Sequence, residues 1–241
     1  MAIEVFNRYE KKYKVPVDIY PKLMEELTKK MDVDKYCIGG NFYTICNIYF
    51  DTDTDALIRR SIEGPVYKEK LRMRSYGVPA RKDFVFLEIK KKYNKIVNKR
   101  RTLLTLDEAD KFMEKGELPT SGKHINKQVI KELNYFVDYY KPVPKLFLAY
   151  DRMALFEKGN GDVRITFDKN IRCRRDRLNL KLGDDGHPIL EEDCYLMEIK
   201  VPAAFPLWIT ELISKYNIRN ISFSKYGTEY KQYISKEAWS C

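Results

Sequence analysis

Arginine and lysine side chains recur at alternate positions in several β-rich stretches of this 241-residue chain. The clearest stretch reads Leu71-Arg72-Met73-Arg74. Because successive side chains of a strand point to opposite faces, both guanidinium groups lie on one face of such a strand. A guanidinium group binds phosphate oxygens through two parallel N–H donors, so the spacing indicates phosphate recognition. A strand with one solvated face has the same alternation, and a single stretch leaves both interpretations open.

Carboxylate side chains share the parity of these cations: they occupy the same alternate positions and therefore point to the same face of the strand. Glu88 stands two residues before Lys90, and Glu10 and Glu198 take similar positions in two other basic stretches. Carboxylate oxygens beside phosphate-binding cations suit a hard divalent ion that bridges carboxylate and phosphate. Phosphoryl transfer depends on positioning and charge neutralisation more than on covalent catalysis, so the residue types are compatible with that chemistry.

The composition favours an anionic partner and excludes several kinds of site. The chain has 45 lysines and arginines against 35 acidic residues, a formal net charge of +10, which favours a polyanion. It lacks a GxxxxGK[ST] phosphate loop, and its five cysteines and two histidines show no zinc-ligand spacing. Most tyrosines alternate onto the apolar parity of strands, where they pack rather than stack on bases, so we expect no nucleic-acid partner.

The sequence has no segment typical of membrane insertion. The first residues contain no apolar signal-peptide core, and no run approaches the roughly 18 apolar residues that span a bilayer. We therefore expect a cytoplasmic protein without a membrane segment of its own. A separate membrane-bound partner protein is compatible with this expectation.

Hydrophobic periodicity predicts the elements that position these residues. Strands are predicted at 6–15, 43–52, 66–77, 84–90, 94–104, 145–156, 163–168 and 194–201. Helices are predicted to start at Pro16 and to cover 53–62, 106–113, 125–140, 206–216 and the C-terminal end. The third helix carries a capping-box signal, Thr105 with Glu108 three residues later. No linker or change in composition divides the chain, so one domain over 1–241 is expected.

Two arrangements of these strands are open. The apolar parity can fill the inside of a closed sheet while the charges face solvent, or the charges can line the inside while helices cover the apolar parity. The amphipathic helices need an apolar surface to pack on, which favours the second arrangement. Because buried unpaired charge is very costly, such a lumen requires water, lining carboxylates and an anionic ligand.

The order of the charged motifs resembles the VTC domain, the polyphosphate polymerase domain of the vacuolar transporter chaperone complex and its bacterial relatives, within the triphosphate tunnel metalloenzymes. The resemblance runs from about residue 6 to residue 225. The motifs are Arg8-x-Glu10-x-Lys12, Leu71-Arg72-Met73-Arg74-Ser75-Tyr76-Gly77, Phe86-Leu87-Glu88-Ile89-Lys90, Tyr150-Asp151-Arg152, Val163-Arg164-Ile165-Thr166-Phe167-Asp168, Leu196-Met197-Glu198-Ile199-Lys200 and Ser222-Phe223-Ser224-Lys225-Tyr226.

This resemblance implies an α+β fold: a closed eight-stranded antiparallel β-barrel, the triphosphate tunnel, with helices packed on its outside. It implies ATP and inorganic polyphosphate as substrates and Mn²⁺ or Mg²⁺ as cofactor. The expected catalytic residues are Lys12, Arg72, Arg74, Lys90, Arg152 and Arg164. The expected substrate-binding residues are Arg8, Lys14, Lys99, Arg101, Lys200, Ser224 and Lys225, and the expected metal ligands are Glu198, Glu10 and Glu88. Lys91 and Lys92, next to Lys90, are expected outside the tunnel or at its rim.

Three functions are compatible with these residues. The first is a polymerase that transfers the terminal phosphoryl group of ATP to a growing polyphosphate chain. The second is a tripolyphosphatase that uses water as acceptor, for which Glu10 and Glu88 would position the water. The third is a non-catalytic module that binds polyphosphate or inositol phosphates. Arg8 stands where hydrolytic members of the superfamily carry the first glutamate of an ExExK pattern, which weakens the hydrolase interpretation.

Overall fold

The computed structural model describes residues 9–94, 96–119, 122, 124–159, 162–191, 193–202 and 204–238, so the predicted site residue Arg8 lies outside the described residues. The chain divides into two compact units. Unit 1 consists of residues 1–44, 150–171 and 188–224, and unit 2 consists of residues 45–149, 172–187 and 225–241. The single domain expected over 1–241 stays a prediction.

The described residues form strands and helices in an α+β order. The strands are β1 (Tyr9–Pro16), β2 (Met31–Val33), β3 (Tyr43–Asp51), β4 (Tyr67–Tyr76), β5 (Phe84–Tyr93), β6 (Ile96–Thr105), β7 (Val143–Glu157), β8 (Arg164–Arg174), β9 (His187–Pro188), β10 (Cys194–Val201) and β11 (Asn220–Ile221). The helices are α1 (Tyr20–Lys30), α2 (Ala56–Glu63), α3 (Leu106–Lys115), α4 (Lys127–Tyr140), α5 (Leu207–Lys215) and α6 (Lys225–Ala238).

One large antiparallel sheet contains the strands, in the order β11-β1-β10-β8-β7-β3-β4-β5-β6, with β2 added to β7 and β9 added to β8. Within the described residues, eight of the strands have at least eight residues: β1, β3, β4, β5, β6, β7, β8 and β10. The predicted α+β class and its eight long strands are confirmed, and closure into a barrel stays a prediction. Among the described residues, none of the helices combines the length and the apolar character that crossing a bilayer requires.

In unit 1, helices cover the apolar parity of the strands, as the second arrangement predicts. Val15 of β1, Phe167 of β8 and Ile199 of β10 are at most 1% exposed and belong to one core. The same core contains Leu27 of α1 and Ile209 of α5. The apolar faces of these strands are therefore occupied by helix packing, which leaves the charged parity on the opposite face.

Unit 2 repeats this organisation with different helices. Leu71 of β4 and Leu87 and Ile89 of β5 are completely buried. They share a core with Phe112 of α3 and Leu133 of α4. The alternation seen in the sequence is thus the alternation between a helix-covered face and a charged face.

Helix α3 begins where the sequence predicts it. The Thr105 side chain accepts a hydrogen bond from the Glu108 backbone N–H at 3.3 Å, and the Glu108 carboxylate accepts one from the Thr105 backbone N–H at 2.8 Å. This capping box satisfies backbone donors that have no partner within the helix.

The predicted start of the first helix at Pro16 is wrong. Pro16 is the last residue of β1 and pairs with Cys194 of β10, and α1 begins at Tyr20. Pro21 takes the first-turn position that was assigned to Pro16. A strand end and a first helical turn both tolerate a residue without a backbone N–H, so proline alone does not separate these two positions.

We expect Leu133→Ala to lower the free energy of unfolding by about 2–5 kcal/mol, because it leaves a cavity in the completely buried core of unit 2. Tyr135→Ala, on the same helix at a position that is 71% exposed, is the matched control and should change it by less than about 0.5 kcal/mol. Urea unfolding of both variants measures the difference. Equal losses would contradict the assignment of α4 to this core.

Candidate functional site

The strand register of unit 2 places the predicted phosphate-binding residues of β4 beside polar residues of β3 and β5. Arg72 lies opposite Tyr49 on β3 and opposite Glu88 on β5, and Arg74 lies opposite Asn47. Glu88 in turn lies opposite Arg101 on β6. The charged parity of four neighbouring strands is therefore one continuous surface, opposite the helix-covered face.

Glu88 is the centre of this surface. Its side chain is 1% exposed, and its Oε2 atom lies 2.6 Å from Arg72 Nε while its Oε1 atom lies 2.7 Å from Lys99 Nζ. Arg74 Nε is 4.0 Å from Oε2. Burial alone would raise the pKa of Glu88, but the charges of Arg72, Arg74 and Lys99 lower it far below its usual range. The carboxylate is therefore ionised and holds cations in place.

The pKa of Lys99 is lowered by burial and by the neighbouring cations. Loss of hydration around its ammonium group and the charges of Arg72 and Arg74 lower the pKa to about 7, against the raising effect of Glu88. Desolvation and neighbouring cations both disfavour the charged form of a lysine. An anion bound beside Lys99 would favour its protonated form, so anion binding there would be accompanied by proton uptake.

Arg74 is positioned by a residue that the sequence did not indicate. The Oδ1 atom of the completely buried Asn47 accepts a hydrogen bond from Arg74 Nε at 2.9 Å, and its Nδ2 donates to the Leu148 carbonyl at 2.9 Å. A buried amide with both ends bonded has a fixed orientation. In the sequence, the only indication of this role is that Asn47 is a polar residue within a strand of β-branched and aromatic residues.

Tyr49 is the second such residue. Its hydroxyl accepts a hydrogen bond from Arg72 Nη1 at 3.3 Å. Burial would raise the pKa of Tyr49, but the charges of Arg72, Arg74 and Lys70 lower it to about 8. Tyr49 and Glu88 therefore hold the Arg72 guanidinium group from two sides.

Two further predicted residues of β5 and β6 lie on the same surface. Lys90 is exposed and lies directly between Lys70 and Lys99 in the register of the three strands. The Arg101 guanidinium group lies 4.6 Å from the centre of the Phe86 ring, a cation–π distance.

Another predicted residue of unit 2, Lys225, is the first residue of α6. The hydroxyl of Tyr226 donates to Asp51 Oδ2 at 3.2 Å, and the Tyr226 ring lies 5.0 Å from the Tyr49 ring. The start of α6 is thereby attached to β3, the strand that also carries Asn47.

In unit 1, two carboxylates and two lysines alternate across β1 and β10. Glu10 lies opposite Lys200, and Lys12 lies opposite Glu198. Lys12 Nζ is 3.4 Å from Glu10 and 3.6 Å from Glu198, and Lys200 Nζ is 3.6 Å and 3.5 Å from the same two carboxylates. These distances are longer than direct hydrogen bonds, unlike the contacts of Glu88 with Arg72 and Lys99.

Arg152 on β7 is held by a buried carboxylate of β8. Its Nε and Nη2 atoms donate to Oδ1 and Oδ2 of Asp168 at 2.7 Å and 2.8 Å, and Nη2 lies 3.9 Å from Glu198. Burial would lower the pKa of Arg152, but the charge of Asp168 raises it well above its usual value. Asp168 acts as an orienting group, because a bidentate pair fixes the plane of the guanidinium group.

Two buried polar atoms belong to residues on the charged face of β8. Among the described residues, no hydrogen-bond partner is found for Arg164 Nε or for Thr166 Oγ1. Thr166 lies opposite Glu198, and Arg164 lies opposite Lys200 with its guanidinium group 4.8 Å from the Phe156 ring. A buried polar group without a partner is costly, so this part of β8 is suited to a ligand with oxygen atoms.

The remaining predicted residues of unit 1 have separate contacts. Lys12 Nζ also donates to the Phe223 carbonyl at 2.9 Å, next to Ser224. The ammonium group of Lys14 contacts the exposed carboxylate of Glu191.

Each unit thus contains its own share of the predicted residues. Unit 1 holds Lys12, Lys14, Arg152, Arg164, Lys200, Ser224, Glu10 and Glu198, and unit 2 holds Arg72, Arg74, Lys90, Lys99, Arg101, Lys225 and Glu88. Their convergence on a single triphosphate stays a prediction.

Comparison with known proteins agrees with these motifs. The family model described as the VTC domain matches residues 7–234. Subunit 4 of the vacuolar transporter chaperone complex of Trypanosoma cruzi (strain CL Brener) is 27% identical, with 76% of this chain and 27% of that protein covered. The chain therefore spans about a quarter of the length of this curated relative.

Solved structures show likeness in fold. A candidate adenylate cyclase of Bacillus halodurans has a TM-score of 0.53 at 16% identity, covering 89% of this chain and 92% of its own. A candidate adenylyl cyclase of Hippeastrum, described as having a dominant triphosphatase activity, has a TM-score of 0.49 at 12% identity, covering 92% and 95%. The first supports a common α+β fold, and the second is too distant to add to it. Since the family model extends from residue 7 to residue 234, this chain belongs to the VTC domain family.

Proposed function

We propose that this chain is a metal-dependent polyphosphate polymerase that transfers the terminal phosphoryl group of ATP to the end of a polyphosphate chain. The observation that carries the proposal is membership of the VTC domain family, together with a cationic surface organised by one buried carboxylate, Glu88. Such a surface suits a ligand with several closely spaced negative charges. The proposal includes closure of the eight long strands into a tunnel around the phosphates.

The proposed reaction needs charge neutralisation more than proton transfer. The bond between the γ-phosphorus of ATP and the oxygen that bridges it to the β-phosphorus breaks, and a terminal oxygen of polyphosphate forms the new bond to the γ-phosphorus. ADP leaves with the bridging oxygen. The attacking phosphate oxygen is already ionised, so no strong general base is required, and fixed cations stabilise the charge on the transferred group.

In unit 2, Arg72 and Arg74 are the cations whose orientation is fixed by neighbouring side chains, so they suit stabilisation of the transferred phosphoryl group. Glu88 and Tyr49 hold Arg72, and Asn47 holds Arg74. Cations that are already oriented need no reorganisation when the transferred phosphoryl group develops charge. In unit 1, the Arg152–Asp168 pair provides the same kind of orientation.

The carboxylates of unit 1 fit a divalent ion better than Glu88 does. Glu10 and Glu198 share a surface, their lysine contacts are 3.4 to 3.6 Å long, and the buried Thr166 hydroxyl lies on the strand beside Glu198. Mn²⁺ and Mg²⁺ prefer such oxygen ligands. When bound, the ion would neutralise phosphate oxygens. Glu88, in contrast, already contacts Arg72 and Lys99 at hydrogen-bond distance, so we assign it to positioning those cations.

We expect purified protein supplied with ATP and Mn²⁺ to form ADP and lengthening polyphosphate, as measured by gel electrophoresis and nucleotide chromatography. Arg72→Gln should lower the rate by about 100-fold or more, because it removes a preorganised donor. Arg100→Gln is the matched control: Arg100 is on the neighbouring β6, and its guanidinium group pairs with Glu132 of α4 at 3.4 Å. That variant should retain the wild-type rate.

Release of orthophosphate without chain growth would contradict the polymerase and identify a triphosphatase. Tight binding of polyphosphate without any turnover of ATP would contradict both and identify a binding module.

We expect Glu88→Gln to lower the free energy of unfolding by about 1–3 kcal/mol, because it removes the charge of a buried carboxylate that contacts the partly exposed Arg72 and Lys99. Added tripolyphosphate should restore much of this loss. Glu132→Gln, which removes a half-buried partner of Arg100, should cost less than about 1 kcal/mol. Thermal or urea unfolding with and without the anion measures both effects, and a loss unaffected by anion would contradict the cation-holding role.

The pH dependence of this stabilisation has a defined sign. Since the folded-state pKa of Glu88 is lowered, its contribution is complete above the unfolded value of about 4.3 and is lost as the pH falls toward the folded value. The unfolding free energy of the wild type should therefore fall more steeply below pH ~4.3 than that of Glu88→Gln.

The assignment of metal ligands predicts that Glu198→Gln weakens Mn²⁺ binding by at least about 10-fold, whereas Glu88→Gln leaves it nearly unchanged. Electron paramagnetic resonance of Mn²⁺, titrated in the presence of tripolyphosphate, measures the bound fraction without any turnover. A larger loss in Glu88→Gln than in Glu198→Gln would contradict the assignment.

A further inference from the structure

The register of β4, β5 and β6 places an unbalanced set of charges on the surface around Glu88. Residues of even number on β4 and β5 lie across from residues of odd number on β6, and all share one face. On these three strands the only carboxylate of that face is Glu88. The cations of the same face are Lys68, Lys70, Arg72 and Arg74 of β4, Lys90 and Lys92 of β5, and Lys99 and Arg101 of β6.

Several of these cations lie directly opposite one another. Lys70 pairs with Lys90, and Lys90 pairs with Lys99, so the backbones of three lysines form one row across the strands. Lys68 pairs with Lys92 in the next row. Like charges directly opposite each other destabilise a sheet. Burial and then the charge of Lys92 lower the pKa of Lys68, which reports the same repulsion.

The helix-covered face of the same strands is organised differently. Lys91 on that face has its ammonium group 3.9 Å from the Glu69 carboxylate. Arg100 on that face pairs with Glu132 at 3.4 Å. On β4, β5 and β6, Lys91 and Arg100 of the helix-covered face thus each have an acidic partner on that face, whereas the charged face has eight basic side chains and one carboxylate. This excess of positive charge attracts an anionic ligand.

The charged face is longer than a triphosphate. From the row of Arg74 to the row of Lys68 the strand advances six residues, which is about 20 Å at roughly 3.3 Å per residue. Three phosphoryl groups joined by two bridging oxygens cover only part of this distance. With a triphosphate bound near Arg72 and Arg74, the rows that contain Lys90 and Lys92 remain for additional phosphates.

We propose that Lys92 is a specificity-determining residue that favours long polyphosphate over triphosphate by binding phosphates beyond the third. The inference rests on the proposed function insofar as it takes polyphosphate as the ligand. Lys92 is the suitable residue of its row, because the opposite ammonium group of Lys68 already donates to the Ser61 carbonyl of α2 at 3.1 Å. It lies two rows from Glu88, so its removal leaves the contacts of Arg72 and Arg74 in place.

The experiment compares Lys92→Gln with Lys91→Gln in the full chain. The two residues are neighbours of the same type on opposite faces of β5, and Lys91 is the one that pairs with Glu69. Dissociation constants for tripolyphosphate and for long-chain polyphosphate are measured by isothermal titration calorimetry at several salt concentrations, without ATP.

For Lys92→Gln we expect affinity for the long chain to fall about two- to five-fold, the effect of one solvent-accessible ion pair, with little change for tripolyphosphate. The slope of log affinity against log salt should decrease by about 0.7 for the long chain, as for one lost phosphate contact on a single strand. Lys91→Gln should leave the ratio of the two affinities and the slope unchanged. Lys92→Arg, which keeps the charge, should restore the wild-type ratio.

Equal losses for both ligands, an unchanged ratio in Lys92→Gln, or the same change in Lys91→Gln would overturn the inference. Unfolding curves confirm that each variant is folded, which is expected because Lys92→Gln removes a repulsion. A different measurement tests the proposed function: the polymerase would be contradicted by the absence of ADP formation and chain growth. A protein that binds long chains through Lys92 and never transfers a phosphoryl group would refute the polymerase and leave this inference intact.

Discussion

The alternation of side chains along the strands is the constraint on which the rest of the structure depends. In both units one parity of each strand is occupied by helix packing, with Leu87 against the core of unit 2 and Phe167 against that of unit 1. The other parity can then carry charge without disturbing either core. The geometry of the candidate site follows directly from this division, because neighbouring strands in fixed register align their charged residues in rows.

Charge balance differs between the two sets of residues. In unit 1, Arg152 has its own buried carboxylate, Asp168, at bidentate distance. In unit 2, one carboxylate, Glu88, contacts both Arg72 and Lys99, with Arg74 nearby. A paired cation orients a ligand, whereas a group of cations with too few carboxylates attracts one.

The sequence predicted what depends on local periodicity and missed what depends on contacts between distant segments. The strand at 194–201 and the capping box of α3 were predicted with their correct residues, because both are local patterns. The orienting role of Asn47 depends on Arg74 and on the Leu148 carbonyl, which are far away in the chain. Likewise, the sequence does not indicate that Lys99 Nζ lies 2.7 Å from the Glu88 carboxylate, and the assignment of Glu88 as a metal ligand stays a prediction.

The alternating order of β5 makes any change in its length costly. Leu87 and Ile89 face the helices while Glu88 and Lys90 face the charged surface. Inserting or deleting a single residue within the strand would exchange the two faces, sending charge into the packed core and apolar groups out of it. Insertions and deletions should therefore be tolerated in the turns at the ends of β5 and not within the strand.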